Sequence, residues 1–346
     1  MRVYLDHNAT APLRPEAKAA MAEAMEIVGN PSSVHAEGRA AKAFLEKCRA
    51  RLAAALGAEG AEIVFTGSAT EAAAMALAGR GVLCSGVEHD AVATWCAPEL
   101  ATDGQGRVSV PDPAGATLQL ANSETGVIQE LPEALWMSDF TQGFGKIAID
   151  FNSSAPMMAI VSAHKLGGPK GVGALVMRRG IDIEPVLKGG GQEMGRRAGT
   201  ENLIGIAGFA AAAERAVEDV NQGRWQTVEE MRDLLEEALV AEAKQIKSVG
   251  KGAQRLPNTL CLLTPGWKGE TQVMQMDLAG FAISAGSACS SGKVKTSPVL
   301  RAMGMGEAEA GCAIRVSLGL ETKRDDVLRF AESWARHARK HETRAA

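Results

Sequence analysis

Short apolar runs at residues 63–65, 117–120, 159–161 and 174–177 are separated by glycine-rich turns and helix-like stretches. No other feature constrains the fold as strongly. Strands buried on both faces read as nearly continuous apolar runs, and parallel neighbours need a helix to carry the chain back. The alternation therefore predicts an α/β fold with a mostly parallel sheet covered by helices. Ahead of the first run, Phe44, Leu45, Cys48, Leu52 and Leu56 recur at helical spacing until Gly57, which predicts an amphipathic helix over 36–56. After the last run, an alanine- and glutamate-rich stretch over 206–247 reads as helix broken near Asn221-Gln222-Gly223. Ser248-Val249-Gly250-Lys251-Gly252 reads as a boundary, and the apolar run 259–263 with the helical patterns behind it fits a smaller α+β domain. The expected organisation is a large domain over 13–247 and a small domain formed by 1–12 and 248–346.

With 346 residues, 46% of them hydrophobic and 23% charged, the chain can bury a sizeable core. A net charge of -4 gives no basic surplus for nucleic acid or anionic lipid, so a small-molecule ligand is expected. No run approaches the ~18 apolar residues needed to span a bilayer, and residues 1–10 lack a leader-like pattern; no membrane association and a cytoplasmic location are expected. The six cysteines are scattered without a C-x-x-C pair, which argues against a metal site and for free thiols acting as small buried hydrophobes.

Three stretches carry candidate chemistry. Ser162-Ala163-His164-Lys165 follows a strand-like run and precedes Gly167-Gly168-Pro169, so Lys165 is placed at a strand end, where ligands of α/β sheets gather. On position alone a solvated surface lysine is an equal reading. Thr66-Gly67-Ser68-Ala69-Thr70-Glu71 comes after the first strand and opens a helix, with Ser68 and Glu71 spaced as a capping box and free amides ready for a phosphate. Residues 135–139 read as a short strand ending in Asp139, followed by Gln142. A pyridinium nitrogen needs a carboxylate and a phenolic oxygen needs a donor, and this pair can supply both. His89, after Val87-Glu88, adds an imidazole able to stack on such a ring. Cys289 differs from the other cysteines because Ala285-Gly286-Ser287-Ala288-Cys289-Ser290-Ser291-Gly292 is built of small residues, which predicts an exposed loop rather than a packed core.

Taken in order, the motifs resemble the cysteine desulfurase family of the class V aminotransferase group, which are fold-type I pyridoxal phosphate enzymes. The resemblance runs from Leu5-Asp6-His7-Asn8-Ala9-Thr10, through Asn30-Pro31-Ser32-Ser33-Val34-His35, Ser68-Ala69-Thr70-Glu71, Glu88-His89, Asn122-Ser123-Glu124-Thr125-Gly126 and Ser162-Ala163-His164-Lys165. It continues to Gly189-Gly190-Gly191-Gln192-Glu193, Arg197-Ala198-Gly199-Thr200, Gly286-Ser287-Ala288-Cys289 and Ile314-Arg315-Val316-Ser317.

The resemblance implies pyridoxal 5'-phosphate held as a Schiff base on Lys165, with its phosphate bound by Ala69, Thr70, Ser162 and His164. Thr200 would reach the phosphate of a neighbouring subunit, which implies a homodimer. His89 would stack on the ring, Asp139 would hold the pyridine nitrogen and Gln142 would contact the phenolic oxygen. Asn122 and Ser123 would lie against the cofactor, while Asn8, Asn122 and Arg315 would contact substrate. The implied activity converts L-cysteine to L-alanine, with the sulfur passing to Cys289 as a persulfide and then to an acceptor protein, for iron-sulfur cluster assembly or thio-modification. A selenocysteine lyase or an aminotransferase of the same class is the alternative. Ser123 replaces the family's usual second asparagine, Phe140 is bulkier than the expected small residue, and the short stretch after Arg315 predicts a reduced scaffold-docking surface.

Overall fold

The computed structural model describes residues 2–154, 156–242, 246–286 and 296–345. After β1 (Val3–Tyr4) come α1 (Pro15–Ala24), α2 (Ala36–Ala55), β2 (Glu62–Thr66), α3 (Ala69–Leu77), β3 (Leu83–Ser85), α4 (Asp90–Ala93) and β4 (Ala97–Leu100). They are followed by β5 (Met137–Asp139), β6 (Met158–Ser162), β7 (Gly173–Met177) and α5 (Leu203–Asn221). The strands β2, β7, β6 and β5 lie side by side in that order, and only β7 runs against its neighbours. Parallel bridges Thr117–Met137 and Leu83–Ala116, with the parallel β3–β4 pair, extend the pattern outward. The mostly parallel sheet expected from the apolar runs is present, although 117–120 joins it through a single bridge rather than a full strand.

Both faces of the sheet are covered, which is why its strands carry no polar alternation. Phe65, Val161, Ala174 and Val176 face a core shared with α1, α2 and α5. Val64, Ile160, Leu175 and Met177 point the opposite way, into a second core capped by α3. Phe140 belongs to the first of these cores, edge-on to Phe151 at 6.5 Å. Its bulk therefore fills the interior, one residue past Asp139, and does not crowd the strand end.

The smaller unit contains α6 (Arg224–Glu242), β8 (Lys247–Ser248), β9 (Thr259–Leu263), α7 (Gly269–Leu278), β10 (Phe281–Ala282), β11 (Ser284–Ala285), α8 (Pro298–Ala302), α9 (Glu307–Ala310), β12 (Ala313–Ser317) and α10 (Arg324–Ala345). Its antiparallel sheet is ordered β11-β12-β9-β8, and β1 pairs with β10. The packing moves the expected domain boundary. Val228, Leu235 and Leu239 of α6 are buried with Leu260, Ile314 and Trp334, so we place residues 224–242 with the small unit. The break then falls at the turn Gln222-Gly223, where Gly223 takes φ +70°. Helical periodicity alone does not reveal which core a helix covers.

Residues 7–11 strap the two units together. Asp6 bridges to Ser317 in the small unit, and the Ala11 amide donates to the His164 carbonyl in the large one. Beside the strap, the fully buried Asp219 accepts from Arg14 and Arg224 at 2.6 Å each and pairs with Arg215 at 3.0 Å. Burial opposes its charge, but Arg14 and Arg224 hold its carboxyl below the usual carboxylate range. The cluster locks α1, α5 and the start of α6 together.

Candidate active site

Strand register builds the site. Gly173 is the partner of both Thr66 and Ser162, so the ends of β2 and β6 stand abreast of the start of β7. A Cβ on Gly173 would lie 2.6 Å from the Ser68 carbonyl carbon, 2.7 Å from the Val161 oxygen and 2.8 Å from the Ala69 nitrogen. Only glycine lets the N-terminus of α3 seat against the strand ends. At that N-terminus the Ser68 hydroxyl accepts from the Glu71 amide at 3.3 Å, and the Glu71 carboxylate accepts from the Gly67 amide at 2.6 Å. The amides of Ala69 and Thr70 and the hydroxyl of Ser162 have no hydrogen-bond partner among the described residues. This is a cradle of donors at the positive end of a helix, chemically suited to a phosphate.

Asp139 ends β5, next to β6, and is buried; Oδ1 accepts from the Thr141 amide at 2.8 Å, leaving Oδ2 for another donor. Lys165 follows β6 in a single 3-10 turn, and its Nζ donates to the carbonyls of Asn8 (2.7 Å) and Ala9 (2.9 Å). His164 lies beside Thr10, with Nδ1 at 3.2 Å from the hydroxyl. Burial, then Lys165 and Lys170, push its pKa down to about 4, so the ring is neutral at physiological pH. His89 caps α4 by accepting the Ala91 amide on Nδ1 at 3.1 Å, which assigns the proton of a neutral ring to Nε2. Gln142 donates from Nε2 to the Asn8 carbonyl at 3.0 Å.

Arg315 lies in β12, only 2% exposed, with one amino group on Asp6 at 2.8 Å and the other on the Ser123 carbonyl at 3.1 Å. Nε is buried without a partner among the described residues. The fork is thus anchored at two points and keeps unused donors, as carboxylate recognition requires. Asp6, which in turn accepts from the Ser284 hydroxyl at 2.8 Å, was quoted in the sequence only as part of a motif. Its role depends on a contact across 309 positions that no local signal reveals.

Two expected contacts take a different form. Both amide hydrogens of Asn8, which is 0% exposed, are used on Thr259 (2.8 Å) and the Ser123 carbonyl (3.2 Å), and its Oδ1 accepts from Asn258. Its side chain secures the strap, and its carbonyl is what meets Lys165 and Gln142. Asn122 accepts three donors from Glu124 and Thr125 and gives Nδ2 to the Val87 carbonyl, so it shapes the turn. Ser123 contributes its carbonyl, which accepts from Asn8 Nδ2 and from Arg315. Thr200 is exposed on a loop tied by Arg197 to Glu71 at 2.7 Å. Cys289 lies outside the described residues; the chain enters its segment from β11, where Ser284 is the register partner of Arg315.

Glu88 was likewise only part of a motif. It is 3% exposed, with Oε1 accepting from the Gln119 amide at 2.5 Å and Oε2 buried without a partner among the described residues. Burial first, and then the nearby Asp139 charge, push its pKa well above the usual range. The folded pKa exceeds the unfolded one, so the stability this group contributes is present below about pH 4.3 and is lost as pH rises toward the folded value. Glu88→Gln is therefore expected to gain stability over the unsubstituted protein as pH rises above about 4.3, the ordinary glutamate value. Urea midpoints measured across that rise would stay parallel if Glu88 were not held protonated.

A profile of the family described as aminotransferase class-V matches residues 3–113 and 110–330. A protein called "Cysteine desulfurase" from Cereibacter sphaeroides is 38% identical over 368 residues, covering 96% of this chain and 94% of that one. The chain belongs to the cysteine desulfurase family of class V aminotransferases. A second family member, from Klebsiella pneumoniae and also called "Cysteine desulfurase", is 37% identical, with 94% and 90% of the two chains covered. The X-ray structure of a NifS-like protein from Rickettsia africae ESF-5 superposes with a TM-score of 0.88 at 29% identity, over 97% of this chain and 99% of that one. The class V fold expected from the sequence is thereby established. Among the described residues no helix is long and apolar enough to cross a membrane.

Proposed function

We propose that the protein is a pyridoxal phosphate-dependent cysteine desulfurase that converts L-cysteine to L-alanine. The observation carrying this reading is the meeting of the α3 donor cradle, Lys165 and Asp139 at one edge of the sheet, in a chain similar over nearly its full length to cysteine desulfurases. The residues fit the cofactor. Ala69, Thr70 and Ser162 would hold its phosphate, Asp139 its ring nitrogen and Gln142 its phenolic oxygen, with His89 and His164 beside it and Lys165 as the covalent anchor. When bound, pyridoxal phosphate supplies an electron sink for charge developing at the substrate α-carbon.

The chain's own groups then divide the work. Arg315 offers its free donors to the substrate carboxylate. The Lys165 amine takes the α-proton and later returns a proton to carbon. Cys289 thiolate attacks the substrate sulfur; an S–S bond forms, the C–S bond breaks with its electron pair leaving on carbon, and protonation completes alanine. The persulfide passes to an acceptor protein, and Thr200 completes a second subunit's phosphate site in a homodimer. Purified protein given L-cysteine should yield equal amounts of alanine and, with a reducing thiol, sulfide. Transfer of the amino group to pyruvate without sulfide would assign it to the aminotransferase alternative, and exclusive turnover of selenocysteine to a selenocysteine lyase.

A further inference from the structure

Lys146 is an ammonium-bearing side chain in an interior position, 4% exposed, and no sequence motif singles it out. Its Nζ donates to the Gln142 main-chain oxygen at 2.9 Å and to Gln142 Oε1 at 3.2 Å. Among the described residues no carboxylate lies within salt-bridge distance of it. Burial, then Lys165 and Arg315, push its pKa down to about 7. An amine held in so unfavourable a place calls for a reason beyond packing.

The reason lies in the amide it touches. The two ends of a glutamine amide are nearly alike in shape, so orientation is decided by its partners' donor and acceptor character. A lysine head is overwhelmingly a donor, so it selects the oxygen end; the Asn8 carbonyl is only an acceptor, so it selects the nitrogen end at 3.0 Å. That same carbonyl receives Lys165 Nζ at 2.7 Å. The chain Lys146, Gln142, Asn8, Lys165 is therefore continuous. One Nε2 hydrogen is used on Asn8, and the other has no partner among the described residues.

We infer that Lys146 is a positioning residue that locks the Gln142 amide with its nitrogen toward the cofactor's phenolic oxygen. This rests on the proposed function, and the test separates the two. The protein is reconstituted with pyridoxal phosphate and the pH midpoint of its visible absorption band is recorded. A donor to an anionic oxygen favours the anion, so losing it raises the midpoint. Gln142→Ala and Lys146→Met are each expected to raise it by about one unit, a tenfold change in proton affinity, and the double variant by no more than either alone. In both single variants kcat should fall on the order of 10²-fold with a smaller change in KM. Lys146→Arg, which keeps a donor-only head, should retain the original midpoint.

A Lys146→Met midpoint left in place, or additive shifts in the double variant, would each overturn the inference. Absence of any visible band in the unsubstituted protein would instead overturn the functional reading, and this inference with it.

Discussion

Lys165→Ala is expected to stop turnover of L-cysteine, lowering the rate by on the order of 10⁴-fold or more while leaving the fold intact. The lysine is only half-buried and its amine contacts two carbonyls, one of which keeps its bond from Gln142 when the lysine is gone. The structural cost is therefore small, and loss of both covalent anchor and proton carrier dominates. Borohydride reduction of the holoenzyme followed by peptide mass analysis should place the cofactor adduct on Lys165. An adduct on Lys146 or Lys170, or alanine formation by the Lys165→Ala protein above about one per cent of normal, would contradict the assignment.

Cys289→Ala is expected to lower alanine and sulfide formation by on the order of 10³-fold or more, yet leave the visible cofactor band unchanged. That separation distinguishes a nucleophile from a cofactor-binding residue. Four of the five described thiols, Cys48, Cys84, Cys261 and Cys312, are buried, burial pushes the thiols of Cys48 and Cys261 above their ordinary range, and Cys96 is half-buried. Full alanine production from the Cys289→Ala protein would show that sulfur leaves by another route.

Much of the site could be read before any coordinates because it is local. The Ser68-to-Glu71 cap, Asp139 at its strand end and the Ser162-to-Lys165 turn each occupy a few consecutive residues whose types serve both structure and chemistry. What could not be read was which polar groups remain free. Asn8 and Asn122 matched the family's binding residues by type, but their amides are taken up by Thr259, Ser123, Val87 and the 122–125 turn. Glu88 and Lys146 gained a role only from burial, because the titration of a carboxyl or an amine depends on surroundings that residue type does not state.

The sequence by itself determined the alternation of apolar strands and helices, the helix caps, the glycines at tight approaches and the order of the chemical motifs. All of these depend on neighbours within a turn or two along the chain. Tertiary structure alone decided that α6 joins the small unit, that Asp6 anchors Arg315 from 309 positions away, and that the strap carbonyls meet Lys165 across 157 and 156. Register between distant strands brought Thr66, Gly173 and Ser162 abreast, and with them the helix start to the lysine turn. Contacts of that range are set by which apolar surfaces bury together, and burial is a property of the whole packed chain rather than of any segment.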